Sequence, residues 1–167
     1  MNPLDLWRSV HRRGLAIALF LLALPALADV SGRVVGVSGG DTITVLDVDQ
    51  VQHKVRLAGI DAPEKKQALG QKSKEALSDC AYGQQVEVQG SKLDRYGRLI
   101  GKVLVHEQDC NLRQIRLGMA WHYKLYMKEQ PLEDRILYTN EENLARNNKL
   151  GLLRDPSPVP PWDFRHH

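Results

Sequence analysis

The stretch HKVRLAGI, residues 53–60, decides how the rest of the chain is interpreted. Its apolar Val55 and Leu57 alternate with polar Lys54 and Arg56, which is the period of a half-buried β-strand. The apolar side chains then face a core, and Arg56 lies on the opposite face, where a ligand could bind. An arginine on the outer face of a strand is also a common surface residue, so this position alone assigns no role.

Two strands are expected before this one. Residues 30–37 are rich in valine and end at the turn formed by residues 38–40. Residues 42–46 alternate β-branched side chains and end at a second turn, residues 47–50. The three segments therefore predict an antiparallel meander with short turns.

The second half of the chain predicts helices and a hairpin. The expected elements are a helix over 68–81, strands over 85–93 and 98–105 around a turn at 94–97, a short helix with Asn111 as its N-cap, and a helix from Pro131 to Leu150. The order β-β-β-α-β-β-α-α, with five strands and three helices, is that of an α+β OB-fold, a small barrel whose face commonly binds oligonucleotides. The proline-rich tail from about residue 155 is expected to be extended, with Trp162 and Phe164 packed on the body.

The first 28 residues have the pattern of a secretory signal peptide. Three arginines precede an apolar run over residues 15–24, and Ala26-Leu27-Ala28 is a cleavage signal of small residues. The run is shorter than the ~20 apolar residues of an ordinary membrane span. Cleavage after Ala28 predicts one domain over residues 29–167, periplasmic or secreted and without stable membrane association.

Net charge excludes a protein that coats nucleic acid by bulk attraction. The full chain carries +3, and the expected signal peptide holds three Arg and one Asp, which leaves +1. A polyanion would therefore be held locally, through few phosphate contacts and a metal ion. The two cysteines, Cys80 and Cys110, favour a disulfide in an exported protein, although two small buried side chains on adjacent helices are the alternative.

Five polar residues carry the chemistry: Asp41, Arg56, Asp61, Glu64 and Arg98. Asp41 begins the second strand and Asp61 follows the third, so pairing of these strands brings the two carboxylates to one end of the barrel. Carboxylates so close repel unless a cation lies between them, and ligands that are all oxygen favour Ca²⁺ or Mg²⁺ over zinc. Glu64 could activate a water, and the two arginines could hold a phosphate. Each residue alone is also explained as a turn or surface charge.

Three motifs in this order resemble those of the thermonuclease family, whose best-known member is staphylococcal nuclease. They are Gly40-Asp41-Thr42, RLAGIDAPE over residues 56–64 and DRYGR over residues 94–98. The likeness continues through residues 118–121 to Pro160-Pro161-Trp162, and so covers essentially the whole chain after the expected signal peptide. Each motif is weak alone, whereas the three with this spacing are specific.

The resemblance implies a calcium-dependent endonuclease that hydrolyses DNA and RNA, single-stranded or locally open, to 3′-phosphate ends. We also expect a monomer. The resemblance assigns roles to eight residues: Asp41, Asp61 and the Ala62 backbone carbonyl as Ca²⁺ ligands, Arg56, Glu64 and Arg98 as catalytic residues, and Tyr96 and, less directly, Tyr126 beside the nucleotide. Only 29 residues separate Glu64 from Asp94, so the loop after Glu64 is shorter than in the staphylococcal protein.

Two other classes remain open at this point. One is a catalytically inactive OB module that binds nucleic acid, and the other is an exported Ca²⁺-binding structural domain. A binding module has no need of Glu64 together with both arginines and both aspartates, which favours the nuclease. The aromatic residues Trp121, Tyr123 and Tyr126 fit either stacking on bases or packing of the tail.

Overall fold

The computed structural model describes residues 29–166, so the expected signal peptide lies outside the described residues. Its strands, in chain order, are β1 (Val30–Gly39), β2 (Thr42–Leu46), β3 (Gln52–Leu57), β4 (Ile60–Asp61), β5 (Gln85–Leu93), β6 (Leu99–Val105), β7 (Gln108–Asp109) and β8 (Trp121–His122). Its α-helices are α1 (Gly70–Ala81), α2 (Cys110–Arg116), α3 (Leu132–Asn147) and α4 (Pro161–Phe164). Two 3₁₀ helices span Lys124–Glu129 and Gly151–Arg154.

Five of these strands close into a barrel. β1 pairs antiparallel with β2 and β5, β2 pairs with β3, and β5 pairs with β6. A parallel pairing of β3 with β6 closes the ring. This confirms the expected OB-like α+β fold, and the alternation along β3 is also as predicted, because Val55 and Leu57 are fully buried.

Asn111 does not cap α2, and that prediction was wrong. The cap is Asp109, whose side chain accepts a hydrogen bond from the Leu112 N–H at 2.9 Å. Asn111 is instead buried, where its amide donates to the Ala58 carbonyl at 2.9 Å and its Oδ1 accepts from the Val103 N–H at 3.0 Å. The side chain therefore ties the end of β3 to β6 where the barrel closes.

The helices α1 and α2 pack against the barrel and against each other. Leu77 of α1 and Ile115 of α2 contribute to the same buried core as the inner faces of the strands. A disulfide joins Cys80 of α1 to Cys110 of α2, 30 positions along the chain. Closing a loop of this length stabilises a fold by about 3–4 kcal/mol in the chain-entropy treatment. Within residues 29–166, no helix is both long and apolar enough to cross a membrane.

The tail is extended only up to Pro160, and its last part forms α4, which sequence analysis did not predict. Pro161 takes the first helical position, where its fixed φ is suitable and its missing N–H costs nothing. Trp162 stacks on Tyr123 with ring centroids 5.6 Å apart and meets Trp121 edge-on at 5.9 Å. Trp162 thus anchors the tail, as predicted, whereas Phe164 is 36% exposed.

Candidate active site

The turn between β1 and β2 positions Asp41 through close packing. A Cβ at Gly40 would lie 1.8 Å from Ser73 Oγ, so only glycine fits there. The buried Gln114 amide donates to the Gly40 carbonyl at 2.7 Å, and the Leu57 N–H donates to the Asp41 carbonyl at 2.8 Å. The backbone that carries Asp41 is therefore held from both α2 and β3.

Arg56 lies between two aspartates, and we call Asp41, Arg56 and Asp61 the floor of the site. The Arg56 guanidinium contacts Asp41 Oδ2 at 3.0 Å through Nη1 and Asp61 Oδ1 at 2.9 Å through Nη2. Nη1 also donates to the Ile60 carbonyl at 3.0 Å. The Ala62 N–H donates to Asp41 Oδ2 at 2.9 Å, which fixes the two predicted metal-binding segments side by side.

Burial of the floor has an electrostatic consequence. The side chain of Asp61 is 1% exposed, and that of Arg56 is 16% exposed. Burial raises the pKa of the Asp61 carboxyl, while a hydrogen bond from Arg165 and the charge of Arg56 oppose that rise. An ionised Asp61 therefore depends on a cationic partner beside it.

Arg165, just after α4, supplies one such partner. Its Nη2 lies 2.8 Å from Asp61 Oδ2, and its Nη1 lies 2.8 Å from Glu64 Oε1. Glu64 is otherwise half-exposed, as the approach of a water to its carboxylate requires. Sequence analysis missed Arg165, since 104 positions separate it from Asp61 and no local pattern links the two.

The turn between β5 and β6 carries the second predicted arginine. Asp94 Oδ1 accepts hydrogen bonds from the N–H groups of Tyr96 and Arg98, and its Oδ2 accepts from Arg98 Nε at 2.7 Å. Burial works against ionisation of Asp94, but these bonds from Arg98 leave its pKa below the ordinary value. The Arg98 guanidinium lies 5.3 Å from the centre of the exposed Tyr96 ring. We call Tyr96 and Arg98 the rim.

A groove of about 1470 Å³ runs between the floor and the rim. It is lined by all eight residues assigned from sequence: Asp41, Arg56, Asp61, Ala62, Glu64, Tyr96, Arg98 and Tyr126. Tyr126 is half-exposed and packs edge-on against Tyr123, so it forms part of the opposite wall. Nine Lys and Arg side chains and six Asp and Glu side chains line the groove, so its lining has a net charge of +3, which favours a phosphate backbone. Two of its lysines, Lys92 and Lys102, pair with Glu129 and Asp134.

The carboxylate oxygens of the floor are of the type that binds a hard cation, but they are not arranged as a metal site in this structure. Among the described residues, no group of three or more His, Cys, Asp or Glu side chains has the geometry of a metal site. Guanidiniums contact the carboxylates instead, and Arg165 bridges Asp61 and Glu64 much as a cation would. When ionised, Asp41, Asp61 and Glu64 present only acceptor oxygens. Oxygen ligands of this type are the ones that Ca²⁺ and Mg²⁺ prefer.

A closed OB-like barrel with paired carboxylates and two arginines facing one groove is the arrangement expected of a nuclease. The family model described as "Staphylococcal nuclease homologue" matches residues 54–155. The chain belongs to the staphylococcal nuclease family.

Named relatives extend this likeness along the chain. The chain is 40% identical over 157 residues to an "Uncharacterized endonuclease" of Escherichia coli O157:H7, and the aligned region covers 93% of this chain and 98% of that protein. It is 39% identical over 159 residues to a "Micrococcal nuclease" of Shigella flexneri, covering 90% and 88%. An "Uncharacterized endonuclease" of Haemophilus influenzae is 44% identical over 133 residues, covering 80% and 71%. These relatives support nuclease activity on nucleic acids.

Proposed function

We propose that this protein is a calcium-dependent endonuclease that hydrolyses phosphodiester bonds of DNA and RNA and leaves 3′-phosphate ends. The observation that carries the proposal is the convergence of Arg56, Glu64 and Arg98 on one groove beside two aspartates. The groove contains every residue assigned to the site, so one copy of the chain can complete it, and we propose a monomeric enzyme. The substrate we propose is single-stranded or locally open nucleic acid.

The arginines stabilise charge that develops on the phosphate. Nucleophilic attack places extra negative charge on the non-bridging oxygens, and fixed guanidiniums interact with that state more strongly than with the ground state. Arg56 is oriented by Asp41, Asp61 and the Ile60 carbonyl. Asp94 orients Arg98 through Nε and Nη2, which leaves Nη1 free to face the groove.

Glu64 accepts the proton of the attacking water. Its carboxylate is the most exposed of the three carboxylates assigned to the site, and it lies next to the buried Asp61. The bond from phosphorus to the 5′ oxygen breaks, and that oxygen leaves with a proton taken from solvent. Asp41, Asp61 and the Ala62 carbonyl would hold Ca²⁺, which supplies Lewis-acid neutralisation of the phosphate charge.

The test is digestion of a labelled single-stranded DNA and a matched RNA with Ca²⁺, with Mg²⁺ or with a chelator. We expect internal cleavage of both substrates with Ca²⁺, 3′-phosphate ends, and loss of cleavage in chelator that added Ca²⁺ restores. Undiminished cleavage in chelator would remove the metal from the mechanism. Binding of both substrates without cleavage would instead identify an inactive OB module.

We also propose export, with cleavage after Ala28. The supporting observations are the signal-like pattern of the first 28 residues and the disulfide between Cys80 and Cys110, which suits an oxidising compartment. N-terminal sequencing of the protein recovered from periplasm and medium should begin at Asp29. Recovery of the intact N-terminus in the cytoplasm would contradict export.

A further inference from the structure

The tail of the protein reaches into the groove that the proposed function uses. Trp162 stacks on Tyr123 and meets Trp121 edge-on, and the Gln67 amide donates to the Val159 carbonyl at 2.6 Å. These contacts fix the chain directly before Arg165 and do not involve the Arg165 side chain. The guanidinium can therefore leave the site while the tail remains in place.

Arg165 engages two of the three carboxylates assigned to the site. Its Nη2 contacts Asp61 Oδ2 and its Nη1 contacts Glu64 Oε1, both at 2.8 Å, and Nη1 also lies 3.3 Å from Asp61 Oδ1. This paired geometry uses the guanidinium fork that matches carboxylates. The Arg165 side chain is 40% exposed, so its outer side faces water.

The charge balance shows what the contact replaces. Asp41, Asp61 and Glu64 contribute −3, and Arg56 and Arg165 contribute +2, which leaves −1. Without Arg165 the same cluster has −2, the charge that one divalent cation neutralises. When Arg165 leaves, the buried Asp61 keeps its contact with Arg56 Nη2 at 2.9 Å, but Asp61 Oδ2 and Glu64 Oε1 lose their cationic partner, which a bound cation would replace.

We propose that Arg165 is an intramolecular competitor for the cation of this site, and that Ca²⁺ binding and release of the Arg165 guanidinium from Asp61 and Glu64 are mutually coupled. The inference rests on the proposed function, because it takes the proposed cation site as the one that Arg165 occupies. Cation affinity in the intact protein is then reduced by the fraction of molecules in which the guanidinium is bound. Release of Arg165 also frees Glu64, so one event makes both the cation site and the proton acceptor available.

Calorimetric titration with Ca²⁺ alone, without nucleic acid, tests the coupling. We expect Arg165→Gln to bind Ca²⁺ about tenfold more tightly than the wild type, within the range typical of coupled sites. The matched control is Arg154→Gln, an exposed arginine at the end of the 3₁₀ helix directly before the tail, which does not line the groove. Its Ca²⁺ affinity should stay within about twofold of the wild type, because only the general loss of one positive charge acts there.

Each other outcome overturns the coupling. Equal affinities of the wild type and Arg165→Gln would reject it while leaving the cation site intact. An equal gain in Arg154→Gln would show a general charge effect, and weaker binding by Arg165→Gln would show that Arg165 supports the site. Failure of all three proteins to bind Ca²⁺ would reject the cation site itself, and the coupling with it.

A second measurement follows the wild type itself and uses variants only to assign its signals. The guanidinium ¹⁵N signals of Arg165, assigned by their loss in Arg165→Gln or in Arg165→Lys, should change when Ca²⁺ saturates the protein. Those of Arg154 should not change. Signals of Arg165 that stay the same at saturation would contradict release of the guanidinium.

Discussion

An arginine pairs with an aspartate at both the floor and the rim, but the two pairs lie in different structural settings. Arg56 pairs with Asp61 at the floor, and Arg98 of the rim pairs with Asp94. Arg56 and Asp61 come from strand positions fixed by barrel closure, and the Asp61 side chain is 1% exposed. Arg98 and Asp94 lie four residues apart in one turn, and the Asp94 side chain is 14% exposed. The floor therefore depends on the whole barrel, whereas the turn can form the rim by itself. Changes at the floor should impair both stability and activity, and changes at the rim should impair activity alone.

Arg56→Ala should have the largest effect. It removes a phosphate-binding group and leaves Asp41 and Asp61 with less positive charge, so we expect kcat to fall about 10³-fold and the free energy of unfolding to fall by about 3 kcal/mol. Single-turnover cleavage and urea unfolding measure the two effects. The control is Lys54→Ala on the same strand, which lines the groove but is exposed. A loss of activity without any loss of stability would break the distinction between floor and rim.

Arg98→Lys should lower kcat and leave the stability of the protein almost unchanged. Lysine keeps the charge but loses the planar fork that Asp94 orients, so we expect kcat to fall about 10²-fold. The free energy of unfolding should change by less than about 1 kcal/mol, as for other partly exposed ion pairs. The same two assays apply. A large drop in stability would show that the turn is coupled to the barrel after all.

Tyr96→Ala should have a smaller effect, on binding. The ring is 68% exposed and lies beside Arg98, where a base could stack on it. Stacking of one base contributes about 1–3 kcal/mol, so we expect KM for single-stranded DNA to rise about tenfold with kcat little changed. Tyr96→Phe keeps the stacking surface and should behave like the wild type. An equal loss in kcat would place the ring in the chemical step instead.

The smallest effect concerns a buried histidine that belongs to neither the floor nor the rim. Burial lowers the pKa of His122 below its ordinary value of 6.5, against an opposing hydrogen bond with Gln130. The unfolded chain then binds a proton more readily than the folded one, so stability is lost as pH falls below about 6.5. Urea unfolding at pH 7.5 and pH 5.5 should show a smaller loss in His122→Gln. Equal losses would mean that His122 does not carry the pH dependence.

Local periodicity was sufficient to predict the face of β3 and therefore the placement of Arg56. Val55 and Leu57 are buried as their alternation indicates, and Arg56 faces the groove. The expected pairing of the second and third strands likewise predicted that Asp41 and Asp61 would lie close together, and both contact Arg56. These features follow from a period of two and from short turns, which are properties of neighbouring residues.

The features that sequence analysis missed depend on contacts between distant residues. Asn111 has the side chain of a helix cap, yet it binds the carbonyl groups of Ala58 and Gly101 because the barrel closes around it. Arg165 reaches Asp61 only because Trp162 docks on Tyr123, which no pattern within the tail indicates. Proline composition likewise predicted an extended tail and did not predict that Pro161 would begin a helix.

The most direct test of the proposed enzyme is single-turnover cleavage of one defined single-stranded DNA by the wild type and by Glu64→Gln in Ca²⁺. Glutamine keeps the shape of Glu64 but cannot accept a proton from water at neutral pH. The account predicts a rate at least ~10²-fold lower, as for loss of a general base, with an unchanged unfolding transition. A rate near that of the wild type in a folded Glu64→Gln variant would contradict it.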